Sequence, residues 1–293
     1  MPTWISSLSR LAAAAGLLML CARPAHADAI TVTLGQAGAV TPQFTTDASG
    51  QGICQQNLVA TATCVYGVES FKNFTSAQAT SGFTSSFTTG TNSFPAGDSI
   101  SGTYSGQITR TLTNQYGGAQ GSTAYPVAMG TAVYRVDLNA VGVPGVNYFG
   151  VWISAMDASN VLKLHTSSGY EFDLTSSVLK TFINQTATPS AYYGNPTTSY
   201  LGKDSTEPFA YVNFFDQNGF FTYVEFTNSA SSGFESSNHA VGYFNPLSVT
   251  GQTVVTSVPV SEPAGLKVLG AALAGMVALT LARIRKAPCR HLA

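Results

Sequence analysis

Acidic side chains are the residues of this sequence best suited to catalysis. Asp157, Asp173, Asp216, Glu225 and Glu235 are spread over the middle of the chain. A glycoside hydrolase needs two carboxyl groups roughly 5–9.5 Å apart, one of which donates a proton to the leaving group. No spacing among the five selects one pair, so glycan hydrolysis is an alternative and not the favoured prediction.

Carboxylates and amides of the same region could also bind a structural calcium ion. Calcium takes about six to eight oxygen ligands, and the candidates are Asp157, Asn160, Asp216, Glu235 and Asn238. Asp216 begins an Asp-Gln-Asn-Gly segment, which matches the start of a calcium loop but lacks its distal glutamate. The alternative is that these side chains cap turns. No other cofactor is predicted.

Two histidines remain once both chain ends are set aside. His165 shares a strand face with Lys163, which predicts exposure to solvent. His239 follows Glu235 and Asn238 and is the better candidate for acid–base catalysis, which requires hydrogen-bond reach to a partner. Because no catalytic constellation is evident, no catalytic residue is predicted.

Aromatic side chains could form a platform for sugar rings. Tyr192 and Tyr193 precede Gly-Asn-Pro in a turn-rich stretch, which predicts that they are exposed. Trp152 lies within an apolar run, and packing in the core is the favoured interpretation there.

Short strands must position these side chains, because the middle of the chain is rich in Ser, Thr, Gly and aromatic residues. Residues 148–153 are continuously apolar, as in a strand buried on both faces. Period-two alternation recurs at Ile30, Val32 and Leu34, at Tyr134, Val136 and Leu138, and at Tyr170, Phe172 and Leu174. The predicted fold class is all-β, an antiparallel β-sandwich like a jelly roll, with a barrel as the alternative.

Two further segments carry structural predictions. Residues 209–227 predict a hairpin around Asn218-Gly219, in whose second arm Phe220, Thr222, Val224 and Phe226 share one face. Residues 75–102 are rich in Ser, Thr and Gly, which favours a loop. The alternative is that this segment holds edge strands, since Phe83, Phe87 and Phe94 need burial.

The N-terminal residues 1–27 are predicted to be a secretory signal peptide. A short apolar run follows Arg10, and Ala25-His26-Ala27 provides small residues where a signal peptidase cleaves. A retained membrane anchor is the alternative, but about 20 apolar residues are needed to span a bilayer and this run is shorter.

A second apolar run, residues 264–282, is predicted to be a transmembrane helix. The basic tail 283–293 follows it, with Arg283, Arg285, Lys286 and Arg290. Cations after an apolar span mark the cytoplasmic side, which places the domain of residues 28–258 outside. A buried core helix is the alternative.

Charge and cysteine content agree with export. Between Asp28 and Glu262 lie 14 acidic and six basic residues, a net charge of −8, and an acidic surface disfavours nucleic acid as a partner. Cys54 and Cys64 predict one disulfide in an oxidising compartment, with two free thiols as the alternative.

The tail 259–293 resembles the PEP-CTERM sorting signal of Gram-negative surface proteins. In that family a Pro-Glu-Pro motif precedes a transmembrane helix and a basic tail. Ser261, Glu262 and Pro263 occupy the place of the motif here, with serine instead of the first proline. The resemblance implies that an integral-membrane exosortase removes the tail and that the mature protein reaches the cell surface or the exopolysaccharide matrix.

The middle of the chain is also similar to a group of exosortase-dependent surface proteins. The segments that carry this similarity are 64–69, 102–106, 115–119, 148–157, 193–196, 210–215 and 233–239. It implies location and architecture rather than a reaction.

The favoured prediction is therefore a non-enzymatic surface or matrix protein that binds polysaccharide. Its predicted partners are signal peptidase and exosortase during export, the membrane through the C-terminal helix, and an exopolysaccharide. The alternatives are a secreted glycan hydrolase that uses a carboxylate pair and a purely structural coat protein.

Overall fold

Strands dominate the chain, as its alternating apolar pattern predicts. The computed structural model describes residues 29–42, 45–46, 52–53, 63–87, 97–119, 124–245 and 256–259. The strands are β1 (Ala29–Leu34), β2 (Thr45–Thr46), β3 (Gly52–Ile53), β4 (Thr63–Glu69), β5 (Phe83–Ser85), β6 (Ser99–Gly106), β7 (Thr109–Leu112), β8 (Ala124–Met129), β9 (Val133–Val141), β10 (Tyr148–Ser154), β11 (Asn160–Thr166), β12 (Glu171–Thr175), β13 (Ala210–Asp216), β14 (Phe221–Asn228), β15 (Gly233–Asn245) and β16 (Thr256–Pro259). The helices are α1 (Ser76–Ser81), α2 (Ser176–Ile183) and a 3-10 helix, Pro189–Tyr192.

The strands form two antiparallel sheets. The larger sheet has the order β16-β1-β13-β10-β15-β8-β7, and β4 also pairs with β15. The smaller sheet has the order β12-β11-β14-β9-β6-β5, while β2 and β3 form a separate pair. The inner faces of the two sheets share one apolar core, so the all-β, sandwich-like prediction is confirmed at this level.

The three alternating runs contribute their apolar residues to that core, as predicted. Ile30 and Val32 of β1 are fully buried with Tyr134 and Val136 of β9 and Leu174 of β12. Burial of such side chains between two sheets removes their apolar surface from water, which is the main favourable term in folding.

Strand β10 is buried along its whole length, which confirms the prediction for residues 148–153. One face belongs to the shared core, where Phe149 and Val151 lie. On the other face Trp152 packs with Phe209 and Tyr211 in a second apolar cluster. The larger sheet is therefore covered on its outer face as well.

Gly150 of β10 leaves room for two tyrosine hydroxyls. A Cβ added at this position would lie 2.1 Å from the hydroxyl oxygen of Tyr148 and 2.7 Å from that of Tyr211, and both side chains are buried. Gly150→Ala is expected to lower the free energy of unfolding by about 3 kcal/mol, because a packed core resists added volume. Urea denaturation measures this loss.

The control is Gly150→Ala combined with Tyr148→Phe, which removes the nearer hydroxyl. We expect the added alanine to cost less in that background than in the wild type. Equal stability of wild type and Gly150→Ala would contradict the packing argument.

The predicted hairpin over residues 209–227 is wrong. Its two arms form β13 and β14, which belong to different sheets: β13 pairs with β1 and β10, and β14 pairs with β11 and β9. The turn between them is held by Asp216, whose Oδ1 accepts the N–H groups of Asn218 (3.1 Å) and Gly219 (2.8 Å). The prediction that Phe220, Thr222, Val224 and Phe226 share one face is also wrong, because Thr222 is exposed whereas Val224 and Phe226 are buried.

Within the segment 75–102, the described residues 75–87 and 97–102 are more regular than a loop. Thr75 caps α1 by accepting the N–H of Gln78, a feature of helix N-termini. Strand β5 then pairs with β6 at the edge of the smaller sheet, which is the edge strand of the alternative prediction. Phe87 is fully buried, and Phe94 lies outside the described residues.

The predictions for both chain ends and for the disulfide fall on residues or side chains that the structure does not describe. They concern the signal peptide 1–27, the helix 264–282, Cys54, the side chain of Cys64, the sorting motif Ser261, Glu262 and Pro263, and the basic residues Arg283, Arg285, Lys286 and Arg290. Among the residues that the structure does describe, no helix combines the length and the apolar character that a membrane span requires.

Candidate functional site

A pocket of about 430 Å³ lies beside the outer face of the larger sheet. Its polar lining includes the carboxyl groups of Asp157, Glu207 and Glu235 and the amide of Asn114, and Tyr116 and Met129 add apolar surface. This size is within the range of about 300–1,000 Å³ found for small-molecule sites.

Two strands of the larger sheet position Glu235. It lies in β15 opposite Val127 of β8 and Ser154 of β10. Directly opposed residues of antiparallel strands project from the same face. Glu235 is therefore held on a three-stranded part of the sheet, where it lines the pocket.

Asp157 follows β10 and is fixed by a buried amide. Asn160 accepts the Asp157 N–H through Oδ1 (2.9 Å) and donates from Nδ2 to the carbonyl of Gly233 (3.1 Å) and to Oδ1 of Asn228 (3.3 Å). Asn160 is fully buried. It ties the turn that carries Asp157 to the start of β15, where Glu235 lies.

Glu207 is brought to the pocket by the loop that precedes β13. Its N–H donates to the carbonyl of Asp204 (3.1 Å), and the next residue, Pro208, accepts the N–H of Met156 (3.1 Å). This places Glu207 beside Asp157, close enough for the Asp157 carboxyl group to raise the pKa of Glu207.

Burial and mutual repulsion change the acidity of this cluster. Burial, followed by the charges of Asp157, Glu207 and Asp204, raises the pKa of Glu235 to about 7. Burial, followed by Asp157, also raises the pKa of Glu207 to about 7. Near neutral pH these two groups therefore hold protons for part of the time, so they can donate as well as accept hydrogen bonds.

The rim of the pocket presents apolar surface to solvent. Tyr116 is 41% exposed and Met129 is 46% exposed. The turn that carries Tyr116 is fixed by Asn114, whose Oδ1 accepts the Tyr116 N–H (3.0 Å) and the hydroxyl of Tyr125 (2.9 Å). Tyr116 is thus an exposed ring on an ordered turn.

No family model, curated protein or solved structure matches this chain.

The structure separates the five predicted calcium ligands. Asp157 and Glu235 line the pocket, Asn160 lies behind Asp157, and Asp216 lies at the opposite end of β13, roughly 20 Å along that strand. Asn238 donates to the carbonyl of Val40 (2.6 Å). Among the described residues no three His, Cys, Asp or Glu side chains are placed to hold a metal ion.

The predicted aromatic platform is not exposed as expected. Tyr192 is 3% exposed and donates its hydroxyl to the carbonyl of Gly35 (2.7 Å). Tyr193 is half-buried against the core. The exposed ring at the pocket is Tyr116, which lies in the segment 115–119.

His239 lies in the core and does not line the pocket. The Tyr104 hydroxyl is 3.0 Å from its Nδ1, and the Ser236 hydroxyl is 2.9 Å from its Nε2. The Tyr134 hydroxyl is 2.8 Å from that of Ser236. All four side chains are buried, and burial lowers the pKa of His239 to about 3. This chain of hydrogen bonds links the two sheets and is closed to a substrate.

His165 lies on the outer face of the smaller sheet with Lys163, but it is more covered than predicted. Its side chain is 15% exposed, with Nε2 3.3 Å from carboxylate oxygens of both Glu171 and Glu225. Its ring stacks on Tyr223 at 3.9 Å. These contacts account for its burial without a catalytic role.

Glu207, Asn114, Tyr116 and Met129 were not among the predicted site residues. Glu207 is 50 residues from Asp157 in the sequence, and only the pairing of β10 with β13 and β15 brings them together. The one available indication was the Gln-Tyr-Gly-Gly-Ala segment, which belongs to the similarity with surface proteins.

Proposed function

We propose that the chain is an exported, exosortase-sorted surface or matrix protein that binds a polysaccharide in this pocket. The observation that carries the proposal is the pocket itself, in which Asp157, Glu207 and Glu235 meet beside the exposed ring of Tyr116. The jelly-roll designation, the signal peptide and the transmembrane tail are parts of the same proposal and rest on the sequence.

The chemistry of the lining suits a sugar. The carboxylates accept hydrogen bonds from sugar hydroxyl groups, and the Asn114 amide can donate to them. An exposed tyrosine offers an apolar face with a polar edge. The ordered turn under Tyr116 reduces the entropy lost when a ligand binds.

Tyr116→Ala is expected to weaken binding of the producer's own exopolysaccharide about fivefold or more, because it removes the only large aromatic ring among the described lining residues. Affinity electrophoresis of the purified chain in gels containing the polymer measures this change. Tyr223→Ala, on the other sheet, is the matched control and should bind as the wild type does. Equal retention of wild type and Tyr116→Ala would show that the polymer does not bind at Tyr116.

A glycan hydrolase is the second candidate. It is favoured by one observation, the half-buried position of Glu235 among other carboxyl groups of the pocket. This position raises the pKa of Glu235 to about 7, and the general acid of a glycosidase needs a raised pKa. Glu235→Gln is then expected to reduce the rate about 100-fold or more, measured by chromatography of released oligosaccharides. A wild-type chain that leaves every tested polymer intact would remove this candidate.

A further inference from the structure

We infer that the polysaccharide bound in the pocket carries free amino groups, as a deacetylated amino-sugar polymer does. This inference rests on the proposed function and specifies the ligand class. It follows from the charge of the lining and from two polar atoms that lack partners beside it.

The described residues of the lining are acidic. Asp157, Glu207 and Glu235 belong to them, and no described lysine or arginine lines the pocket. Asp204 adds a fourth negative charge, which acts on both Glu207 and Glu235. Like charges in a partly desolvated site repel one another, so the site favours a ligand that brings positive charge.

Two polar atoms next to the pocket have no hydrogen-bond partner among the described residues. The Ser154 hydroxyl is one; its residue is 1% exposed and lies directly opposite Glu235, with its side chain on the same face. The second is Oδ2 of Asp204, a buried atom of a half-buried residue. A buried polar atom without a partner is unfavourable, and a ligand group that reached the Ser154 hydroxyl, on the sheet face that carries Glu235, would supply its missing hydrogen bond.

A sugar ammonium group meets both requirements. It donates three hydrogen bonds and carries one positive charge, while the ring next to it can lie against Tyr116. A polymer of uronic acids is repelled by the same carboxylates. A neutral polymer supplies hydroxyl groups but leaves the carboxylate charges uncompensated.

The acidity of the site agrees with this ligand. Burial and neighbouring carboxylates raise the pKa of Glu235 and of Glu207 to about 7. An ammonium placed beside them favours the ionised form and lowers both values. The positive charge of Lys180 already lowers the pKa of Glu207 slightly.

The test is isothermal titration of the purified full-length chain, in EDTA, with a glucosamine oligomer, its N-acetylated counterpart and a glucose oligomer of the same length. We expect the glucosamine oligomer to bind about tenfold tighter than the other two and to weaken as salt is added. Glu235→Gln and Asp157→Asn should each remove most of this preference. Glu171→Gln, a carboxylate of the other sheet that pairs with Lys163, is the matched control and should keep it.

Three results would overturn the inference and leave the proposed function in place. The first is tight binding of the acetylated or neutral oligomer that Tyr116→Ala abolishes. The second is binding of the glucosamine oligomer that survives in both Glu235→Gln and Asp157→Asn. The third is binding that appears only when calcium replaces EDTA, because a metal would then carry the recognition. If no oligomer and no exopolysaccharide binds, the proposed function fails together with the inference.

Discussion

Replacing His239 with alanine is expected to lower the free energy of unfolding by about 4 kcal/mol. The imidazole ring stacks on Phe226 at 4.8 Å and meets Phe71 edge-on at 4.8 Å, so its removal leaves a cavity in the core. It also removes the imidazole nitrogen that hydrogen-bonds the buried Tyr104 hydroxyl, which adds the cost of an unmade hydrogen bond. Urea denaturation at neutral pH measures the loss.

His165→Ala is the control, because it removes the other histidine of the domain. His165 lies on the outer face of the smaller sheet, where ion pairs contribute about 0–1 kcal/mol. A loss at His239→Ala no larger than that at His165→Ala would contradict the structural role given to the buried network.

The same residue predicts how stability depends on pH. Burial lowers the pKa of His239 to about 3 from its ordinary 6.5, so between these values the unfolded chain binds a proton that the folded chain does not. The free energy of unfolding therefore falls as the pH drops below 6.5, with a contribution from His239 of up to about 1.4 kcal/mol per pH unit.

His239→Phe separates this contribution from those of the carboxyl groups, because it fills the site without titrating. We expect the difference in stability between wild type and His239→Phe to shrink steadily as the pH falls from about 6.5 toward 4. A difference that stays constant over this range would show that His239 is protonated in the folded protein.

The sequence could not reveal that His239 points into the core. In β15 the side chains of Phe234 and Ser236 face inward, and a strict period of two would then turn His239 outward. Asn238 interrupts the period with a positive φ of 46°, and the pairing of β15 with β10 shifts at the same place. The bulge carries His239 back to the inner face. Asn tolerates this conformation, but its presence alone does not predict a bulge.

The failed hairpin has a different physical reason. The alternation in residues 209–227 correctly predicted two strands and the turn between them, since both properties are local. Which strands pair depends on contacts distant in the sequence, and here β1 and β10 pair with β13 while β9 and β11 pair with β14. Asp216 stabilises the turn through its own backbone neighbours, so the turn needs no hairpin to form.

The site was predictable only in part for the same reason. The sequence identified Asp157 and Glu235 as candidate carboxylates but did not show which other carboxylate each lies near. Both line one pocket because of the register in which β10 pairs with β15. Asp216 was included among the predicted calcium ligands because the sequence does not show how far apart side chains lie in the fold. Tyr116 was missed because an isolated tyrosine in a glycine-rich turn has no pattern that distinguishes a binding ring from a structural one.

Glu235→Gln is expected to raise the free energy of unfolding by about 3 kcal/mol near pH 8. Burial raises the pKa of Glu235 to about 7 from its ordinary 4.5, so between these values the folded chain keeps a proton that the unfolded chain has lost. Stability therefore falls as the pH rises from 4.5 to 7, and the full cost is present above 7. Glutamine has the same shape and does not ionise.

The measurement is guanidinium denaturation of both proteins across this pH range. The advantage of Glu235→Gln should be small near pH 4.5 and grow to its full value above pH 7. Glu171→Gln is the control, because a hydrogen bond from Lys163 lowers the pKa of Glu171 instead of raising it. The free energy of unfolding of this variant should therefore not increase relative to the wild type as the pH rises. An advantage of Glu235→Gln that is independent of pH would contradict the charge argument.

A carboxylate that destabilises the fold at neutral pH is best explained by what it binds, since function commonly costs stability at the site that performs it. A sugar ammonium bound beside Glu235 would offset the repulsion, because it favours the ionised carboxylate. At pH 7, where Glu235 is partly ionised and a sugar amine still holds part of its charge, the glucosamine oligomer should therefore stabilise the wild type more than it stabilises Glu235→Gln. This difference connects the stability of the fold to the ligand by a measurement that needs no enzymatic activity.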